Sequence, residues 1–329
     1  MTELVVFCDP ETLQADYLSE FLAERRVPQI LFYQLDGAHA FYTYRNQDLA
    51  EIAWREEFDF FAAQSFWARE RRYAFISLGC GNAGPEKMLL RLMRDHGYCV
   101  DYVGVDSSPA MLELATANLD GERFATTFAQ ADFARDDFAE RLGDLVDDYD
   151  HRIFAMMGGT FGNFDQTFVA DLLSELIGVA DYFYLDVVPF YASEEQNRRL
   201  RERLSCLPQN LSAFFDRLLG SLGLGLEQGE IVAVESADGA LNTMRFTFYF
   251  QPTTEVRVSC LSTEVDLMPG ERVELMSIRA YDVDSLISFL GDRGFRLVDT
   301  YVPDVGRLSH LWQRLLFIKG QEVENDADH

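Results

Sequence analysis

Two glycines and one aspartate suggest the clearest chemistry in this chain. Gly79 and Gly81 follow the apolar run 75–78, and Asp106 ends a second apolar run at 102–105. Glycines at the end of a strand let the backbone approach a bulky ligand, and a carboxylate at the tip of the next strand can bind ribose hydroxyls. The pattern therefore predicts the first two strands of a nucleoside-binding α/β domain.

The glycine spacing leaves two cofactors open. Gly79, Gly81 and Gly84 formally satisfy the GxGxxG pattern of dinucleotide-binding proteins. Against NAD, the glycines begin only at residue 79, and Asp132 follows a later strand. S-adenosylmethionine has a cationic sulfonium and no phosphate, so a pocket ringed by carboxylates suits it better than a pyrophosphate. We predict this cofactor; for the alternative, an NAD-dependent dehydrogenase, no His or Lys grouping proposes a hydride-transfer site.

Composition narrows the class of protein. The chain has 329 residues, 48% of them hydrophobic, and a formal net charge of −27. Such a charge repels nucleic acid and membrane phosphates and favours cationic small molecules, although it could serve solubility alone. No apolar run is long enough for a membrane helix, so we expect a cytoplasmic protein. The five cysteines and five histidines show no metal-binding spacing, and no metal is expected.

The pattern along the chain predicts two structural parts. Strands and helices alternate over 71–190, which is typical of a parallel sheet with helices on both faces, and residues 281–320 add a helix and two strands. We assign these ranges to an α/β Rossmann-like core. Helical residues 1–70, with the long helical stretch and period-two strands of 191–280, form a second α+β domain for the substrate. Residues 321–329 are an acidic tail.

Five motifs in register carry a resemblance to a known family. They are Phe32-Tyr-Gln-Leu-Asp-Gly37, Leu78-Gly-Cys-Gly81, Val105-Asp-Ser-Ser-Pro109, Ala131-Asp-Phe133 and Phe154-Ala-Met-Met-Gly-Gly-Thr-Phe-Gly-Asn-Phe164. Over residues 28–318 the chain resembles the histidine-specific methyltransferases, the group that contains the histidine Nα-methyltransferase of ergothioneine biosynthesis. The resemblance implies a Rossmann-like S-adenosylmethionine domain, and a second domain that closes over an amino-acid substrate.

The resemblance also implies roles for individual residues. Gly79 and Gly81 would contact the methionine part of the cofactor, Asp106 its ribose, and Asp132 with Phe133 its adenine. Gly158, in the motif that also contains Asn163, is a further cofactor-binding candidate. Asn163 falls on the asparagine that holds the backbone of the substrate amino acid, and Tyr42 approximates a substrate-binding tyrosine. Asn163 and Tyr42 are therefore the catalytic candidates, with Tyr33 and Tyr44 as further substrate-binding candidates from the same aromatic segment.

Each of these residues also has a purely structural interpretation. Asn163 could be an ordinary turn asparagine, and the tyrosines could simply pack the helical cap onto the core. Asp106 and Asp132 could cap helices or turns after their strands. Four further acidic residues are weak candidates, because solvated charge is the expected role for each: Asp165, Asp186, Glu194 and Glu274.

The chain departs from the family pattern at positions that concern the substrate. The family's cofactor-contacting lysine falls at Pro85, with Lys87 nearby, and a second substrate tyrosine has no counterpart in 203–207. Where the histidine enzymes carry a Glu-Ile-Ser stretch that grips the imidazole, counting back from Gly294 reaches Met276-Ser-Ile278, and a shift of a residue or two would reach Glu274.

These departures set the functional prediction. We expect an enzyme, an S-adenosylmethionine-dependent N-methyltransferase acting on a free amino acid or small amine. Because the imidazole grip is missing and the chain is acidic, the sequence weakly favours a cationic, arginine-like guanidino or amine substrate. Histidine Nα-methylation is the alternative within this class, and a catalytically inactive cofactor-binding scaffold is the alternative of another class. The sequence does not indicate an oligomeric state.

Overall fold

The computed structural model describes residues 2–7, 21, 24–27, 51–133, 135–191, 193–238, 241–260, 263–303 and 312–320. The strands there are β1 (Thr2–Val6), β2 (Arg72–Leu78), β3 (Cys99–Asp106), β4 (Thr126–Gln130), β5 (His151–Met156), β6 (Tyr182–Phe190), β7 (Gly229–Asp238), β8 (Thr243–Pro252), β9 (Val256–Cys260), β10 (Thr263–Leu267), β11 (Val273–Asp282), β12 (Phe295–Tyr301) and β13 (Gln313–Lys319). The helices are α1 (Glu51–Ala62), α2 (Gly84–Asp95), α3 (Pro109–Leu119), α4 (Phe138–Val146), α5 (Gln166–Leu176), α6 (Glu194–Ser205), α7 (Leu207–Asn210), α8 (Ser212–Ser221) and α9 (Val283–Gly291), and 3₁₀ turns cover Thr160–Asn163 and Leu226–Gln228.

Most described strands form one mixed sheet. Its main path runs β1-β4-β3-β2-β5-β6-β11-β8-β7, and β13 pairs with both β6 and β12. The strands from β1 to β6 run parallel, whereas β13 is antiparallel to β6. Helices cover both faces of this region, as the alternating pattern requires. The predicted Rossmann-like α/β fold is therefore confirmed, and the carboxyl ends of β2 to β5 meet at one edge.

Strand β6 is the point at which the sheet forks. Its residues 182–187 pair with β13, and its residues 188–190 pair with residues 280–282 of β11. β11 in turn pairs antiparallel with β8, and β8 with β7. Of the strands inserted late in the chain, β7, β8 and β11 therefore continue the core sheet, whereas β9 and β10 form a separate antiparallel pair. The continuity of the core sheet sets β11 against the turn that follows β5.

Three buried clusters hold the helices to the sheet. On one face, α4, α5 and α9 pack through residues such as Leu142, Leu173 and Leu286. On the other face, α1, α2 and α3 pack around Phe61, Leu89 and further residues. A third cluster joins α6 and α8 to β8 and β11. Burial of these apolar side chains is the main stabilising contribution to the fold.

Two features of the chain differ from the sequence-based expectation. The long helical stretch after residue 193 is divided into α6, α7 and α8, and Pro208 lies in the first turn of α7, where its missing N–H is tolerated. β1 was not expected; it pairs with β4 in the core sheet, although the sequence division assigns residues 1–70 to the substrate part. The rest of that division remains a prediction.

Candidate active site

The glycine loop lies directly after β2 and has a conformation that needs glycine. Gly79 and Gly81 have φ angles of 75° and 53°, in the left-handed region that side chains disfavour. A Cβ atom on Gly79 would lie 2.5 Å from Cγ2 of Thr160, whereas one on Gly81 would meet nothing within 4 Å. The first glycine therefore permits close packing of the loop on the turn after β5, and the second leaves open space beside the backbone.

Asp106 is tied to the same loop. Its carboxylate accepts hydrogen bonds from the backbone N–H of Gly81 at 2.8 Å and of Ser108 at 2.9 Å. Burial raises the pKa of Asp106, while these backbone N–H groups oppose the increase. Each carboxylate oxygen has a second lone pair, so the group can still accept hydroxyl donors while it holds the loop. The structure thus brings Gly79, Gly81 and Asp106 together.

The next two strand ends carry the remaining cofactor candidates. Asp132 and Phe133 follow β4, where Asp132 is half-buried and Phe133 is buried. The ring of Phe133 lies 5.2 Å from that of Phe138 and 5.3 Å from that of Phe164. Phe133 therefore sits in an aromatic cluster that also includes the residue after Asn163. Gly158 follows β5 with a φ of 72°.

Asp186 fixes the turn after β5, and the expectation that it is a solvated charge is wrong. It is buried on β6, and its two oxygens accept the N–H groups of Gly158 at 2.7 Å and Gly159 at 2.8 Å. Such N–H···carboxylate bonds are charge-assisted and stronger than neutral ones. The start of the Asn163-bearing turn is therefore held by the neighbouring strand.

A buried charge network extends from Asp186 to the N-terminal half of the chain. Nη1 of Arg314 lies 3.2 Å from Asp186, and Nε of Arg314 lies 3.6 Å from Oε1 of Glu57 on α1. The hydroxyl of Tyr184 donates to the same Glu57 oxygen at 2.6 Å. Burial raises the pKa of Glu57, and Arg314 opposes that increase. The network links α1, β6 and β13 behind the site.

Asn163 is the one substrate candidate whose surroundings can be described. It ends the 3₁₀ turn Thr160–Asn163 and is exposed. The predicted tyrosines Tyr33, Tyr42 and Tyr44 lie outside the described residues. Asp165 caps α5 by accepting the N–H of Phe168 at 2.9 Å, and Glu194 is an exposed partner of Arg201. Asp165 therefore has a structural role, whereas Glu194 is a solvated charge, as the sequence predicts.

A β-bulge in β11 changes the expected alignment near the C-terminus. Glu274 lies opposite Tyr249 and Ser277 opposite Thr247, with Leu275 as the extra residue. Because Tyr249 and Thr247 are two residues apart on β8, they share a face, and so do Glu274 and Ser277. Counting back from Gly294 placed Met276 at the position of the family's glutamate; Glu274 lies two residues earlier, and the bulge accounts for one of the two.

Glu274 is not a solvated charge, so that expectation is also wrong. Its side chain is largely buried, lies 2.5 Å from Nη2 of Arg245, and lies 3.5 Å from Nε of Arg26. The backbone N–H and C=O of Glu274 also bond with Arg25 and Val27. This face of the inserted strands is therefore charged and joined to the N-terminal segment.

Lys87 does not replace the lysine of the family pattern. Its ammonium donates to the backbone carbonyl of Asn118 on α3 and lies 3.7 Å from Oε1 of Glu122. Asn118 in turn donates to the carbonyl of Asn82 at 3.0 Å. Lys87 therefore stabilises the packing of α2 on α3.

Comparison with protein families decides the class. The family described as "Histidine-specific methyltransferase, SAM-dependent" matches residues 13–184, just over half of the chain. The chain belongs to this family. It is an S-adenosylmethionine-dependent methyltransferase, and its cofactor is S-adenosylmethionine. The match ends within β6, so the inserted strands lie beyond it. No curated protein matches the chain.

Solved structures that resemble this family member do so distantly. A S-adenosylmethionine-dependent methyltransferase from Clostridium acetobutylicum ATCC 824 is 12% identical, with a TM-score of 0.45, covering 86% of this chain and 97% of that one. The PH0226 protein from Pyrococcus horikoshii OT3 is 16% identical, with a TM-score of 0.45, covering 85% and 97%. The glycopeptide N-methyltransferase MtfA is 13% identical, with a TM-score of 0.40, covering 80% and 90%. The family assignment depends on the matched sequence and not on these likenesses.

The residues of this methyltransferase suit its cofactor chemically. The glycine loop leaves room beside Gly81, and Asp106 offers a half-buried acceptor beside it. No helix N-terminus with a glycine-rich pyrophosphate cradle is needed, since S-adenosylmethionine has no phosphate. Within the described ranges, no group of three or more His, Cys, Asp or Glu side chains is arranged to hold a metal ion, and no helix is long and apolar enough to span a membrane.

Sequence reasoning missed the residues that support the site from behind. Arg279 on β11 and Arg314 on β13 were not singled out, and the part played by Glu57 was not foreseen. The available signal was weak: Ser277 and Arg279 interrupt an apolar strand at period two, which marks one face as polar. The sequence does not indicate which element packs against this polar face of β11, because that depends on how β6 divides its pairing between β13 and β11.

Proposed function

We propose that this methyltransferase transfers a methyl group to the nitrogen of a free amino acid or another small amine. The observation that carries the proposal is the position of exposed Asn163 at the end of the turn that packs, through Thr160, on Gly79 of the cofactor loop. An acceptor held by Asn163 would thus lie beside the methyl donor. The division into a cofactor core and a substrate domain is part of the same proposal.

The proposed reaction needs positioning more than a strong acid or base. S-adenosylmethionine, once bound, would supply the methyl group from its sulfonium, with a nitrogen–carbon bond formed as the sulfur–carbon bond breaks. The protein must present a neutral amine in line with that bond and exclude water. The side-chain amide of Asn163 can donate to a substrate carboxylate and accept from its amine. The amine loses one proton to solvent after the transfer.

Two substrate types remain within this proposal. The net charge of −27 favours a cationic, arginine-like or amine substrate. The shared face of Glu274 and Ser277 supports histidine instead, because a glutamate and a serine on one face are the residue types that the family resemblance implies for binding an imidazole. The proximity of Arg245 to Glu274 weighs against a guanidinium at that face, since like charges repel. A cytoplasmic location remains a prediction from composition.

The experiment that tests the proposal is mass spectrometry of small molecules. The purified protein is incubated with S-adenosylmethionine and a panel of amino acids and amines that includes histidine and arginine. A gain of one or more methyl masses on the amine of one compound would support the proposal and identify the substrate. Cofactor binding by calorimetry without any product across the panel would favour the scaffold alternative.

A further inference from the structure

Arg279 holds the two peptide groups on either side of Asn163. Its Nη1 atom donates to the carbonyl oxygen of Gly162 and to that of Phe164, the latter at 3.0 Å. A guanidinium donating to two carbonyls makes charge-assisted bonds, which are stronger than neutral ones. With the carbonyls before and after it held, the backbone of Asn163 has little freedom to move, and the direction in which its side chain leaves the turn is set.

The same turn is also packed against β11. A Cβ atom on Gly162 would lie 3.7 Å from Cβ of Arg279 and 3.6 Å from the hydroxyl of Tyr281. The buried ring of Phe161 lies 5.8 Å from that of Tyr281. The turn therefore packs on Arg279 and Tyr281, which are two residues apart on β11 and share one face of the strand. Arg279 supplies the polar part of that contact.

Arg279 has a second arginine as its neighbour across the sheet. Arg279 lies directly opposite Arg245 on β8, and two like charges in that position repel. Arg245 is compensated by Glu274 at 2.5 Å, while Nη1 of Arg279 points to backbone carbonyls of the turn. Nη1 of Arg279 therefore bonds to the turn that carries Asn163 and not to Glu274.

We propose that Arg279 is a positioning residue for methyl transfer, which holds Asn163 in the orientation that receives the acceptor. The inference rests on the proposed function of Asn163. Arg279 acts through the turn and does not itself contact the reacting atoms. Because β11 belongs to the inserted strands, the acceptor site is completed by an element outside the segment that the family match covers.

The test compares three single variants of the full chain. Arg279→Met removes the donor, and Arg279→Lys keeps a single nitrogen that can donate to both carbonyls, as Nη1 does. Arg272→Met is the matched control, because Arg272 lies just before β11, is exposed, and donates to Gln251 at 2.9 Å. We measure the amine KM, kcat, S-adenosylmethionine affinity by calorimetry, and hydrogen exchange over 158–166.

A positioning role predicts a graded effect on the acceptor alone. The amine KM should rise about 10- to 100-fold in Arg279→Met and less in Arg279→Lys, with cofactor affinity within about twofold of wild type. Exchange of the 158–166 amides should accelerate in Arg279→Met, while that of the 79–84 loop stays unchanged. Arg272→Met should behave as wild type in every measurement.

The outcomes separate this inference from the proposed function. Wild-type kinetics and wild-type exchange in Arg279→Met would overturn the inference. Equal loss of cofactor affinity and amine binding in both Arg279 variants would also overturn it, because that result indicates general unfolding. If no panel compound is methylated by the wild-type protein, the proposed function fails, but faster exchange confined to 158–166 in Arg279→Met would still show that Arg279 holds the turn.

Discussion

The cofactor side and the acceptor side of this site are built in different ways. On the cofactor side, Gly79 and Gly81 follow one strand and Asp106 ends the adjacent parallel strand; Gly79 donates to the carbonyl of Val105 and Gly81 to the carboxylate of Asp106. On the acceptor side, Asn163 lies on a short turn that is held from outside, by Asp186 on β6 and Arg279 on β11. The first arrangement follows from local chain order, whereas the second depends on long-range contacts.

That difference teaches where each half is vulnerable. A change on the cofactor side alters the ligand-binding groups themselves. A substitution at a residue that supports the acceptor side leaves the Asn163 side chain unaltered but can shift its position. Small displacements of a positioned group reduce the reaction rate strongly. Five predictions can break or sharpen this comparison.

The largest expected effect is that of Asp186→Ala on stability. The substitution leaves the N–H groups of Gly158 and Gly159 without their acceptor and removes one of the carboxylates that compensate buried Arg314. Removal of one partner of a buried ion pair costs about 3–5 kcal/mol. We expect a loss of that size in the free energy of urea unfolding.

Asp165→Ala is the matched control for that substitution, because Asp165 is an exposed helix cap on the same turn. Loss of a cap costs about 1 kcal/mol. Equal stability losses in the two variants would show that the buried network behind the site contributes nothing beyond an ordinary cap.

Asn163→Ala should affect the acceptor and spare the cofactor. We expect kcat/KM for the amine to fall about 100-fold, equivalent to about 2.7 kcal/mol, because a donor and an acceptor for the substrate are both removed. Calorimetry should give an unchanged affinity for S-adenosylmethionine. Unchanged kinetics would return Asn163 to the role of an ordinary turn residue.

Asp106→Ala should do the reverse. Loss of the carboxylate should weaken S-adenosylmethionine binding about tenfold or more, equivalent to about 1.4 kcal/mol, and Asp106→Asn should be intermediate because its oxygen still accepts. Asp101→Ala, on the same strand but paired with exposed Arg72, serves as the control. Wild-type affinity in Asp106→Ala would remove this residue from the ribose role.

The two loop glycines should differ from each other. Gly81→Ala should cost about 1–2 kcal/mol of stability, from the left-handed backbone alone. Gly79→Ala should cost more, since its Cβ also meets Cγ2 of Thr160. Thr160→Ser removes that methyl group and should recover part of the loss in the double variant. Equal unfolding energies for the two single variants would argue against close packing of the loop on the turn.

The smallest effect is a pH dependence at Glu57. Because burial raises its pKa in the folded protein, the unfolded chain releases this proton first as the pH rises. The contribution of Glu57 to stability therefore falls as pH rises from its ordinary pKa of 4.5 towards the folded value, and is then constant. Glu57→Gln lacks this fall, so its stability relative to wild type should increase over that window in urea unfolding. A pH-independent difference would contradict the raised pKa.

Sequence predicted the cofactor side well because its signals are local. Apolar runs, the glycines after β2 and the aspartate after β3 all lie within about 30 residues, and the sheet topology then brings the strand ends together. Two features were missed although their signals are also local. A helical period extends through α6 to α8 and hides the break at Pro208, and the five residues Thr2–Val6 are too few to show a period.

The acceptor side could be predicted only in part. Asn163 was identified, but Arg279 and Asp186 reach its turn from strands 116 and 23 positions later in the chain. Their contacts depend on the fork of β6 between β13 and β11, which no local pattern indicates. Glu274 was left undecided because the extra residue at Leu275 cannot be recognised within an apolar stretch.

That extra residue has a genetic consequence. Since Leu275 bulges out of the pairing, the strand can gain or lose one codon at this point while Glu274 and Ser277 keep the same face. Deletion of one codon at Ser277, in the regularly paired part of β11, would instead move the side chains of the rest of the strand to the opposite face of the sheet. Relatives of this chain can therefore differ by one residue in the spacing of these two positions and still present the same pair of groups, so alignments that penalise gaps within strands will misassign them.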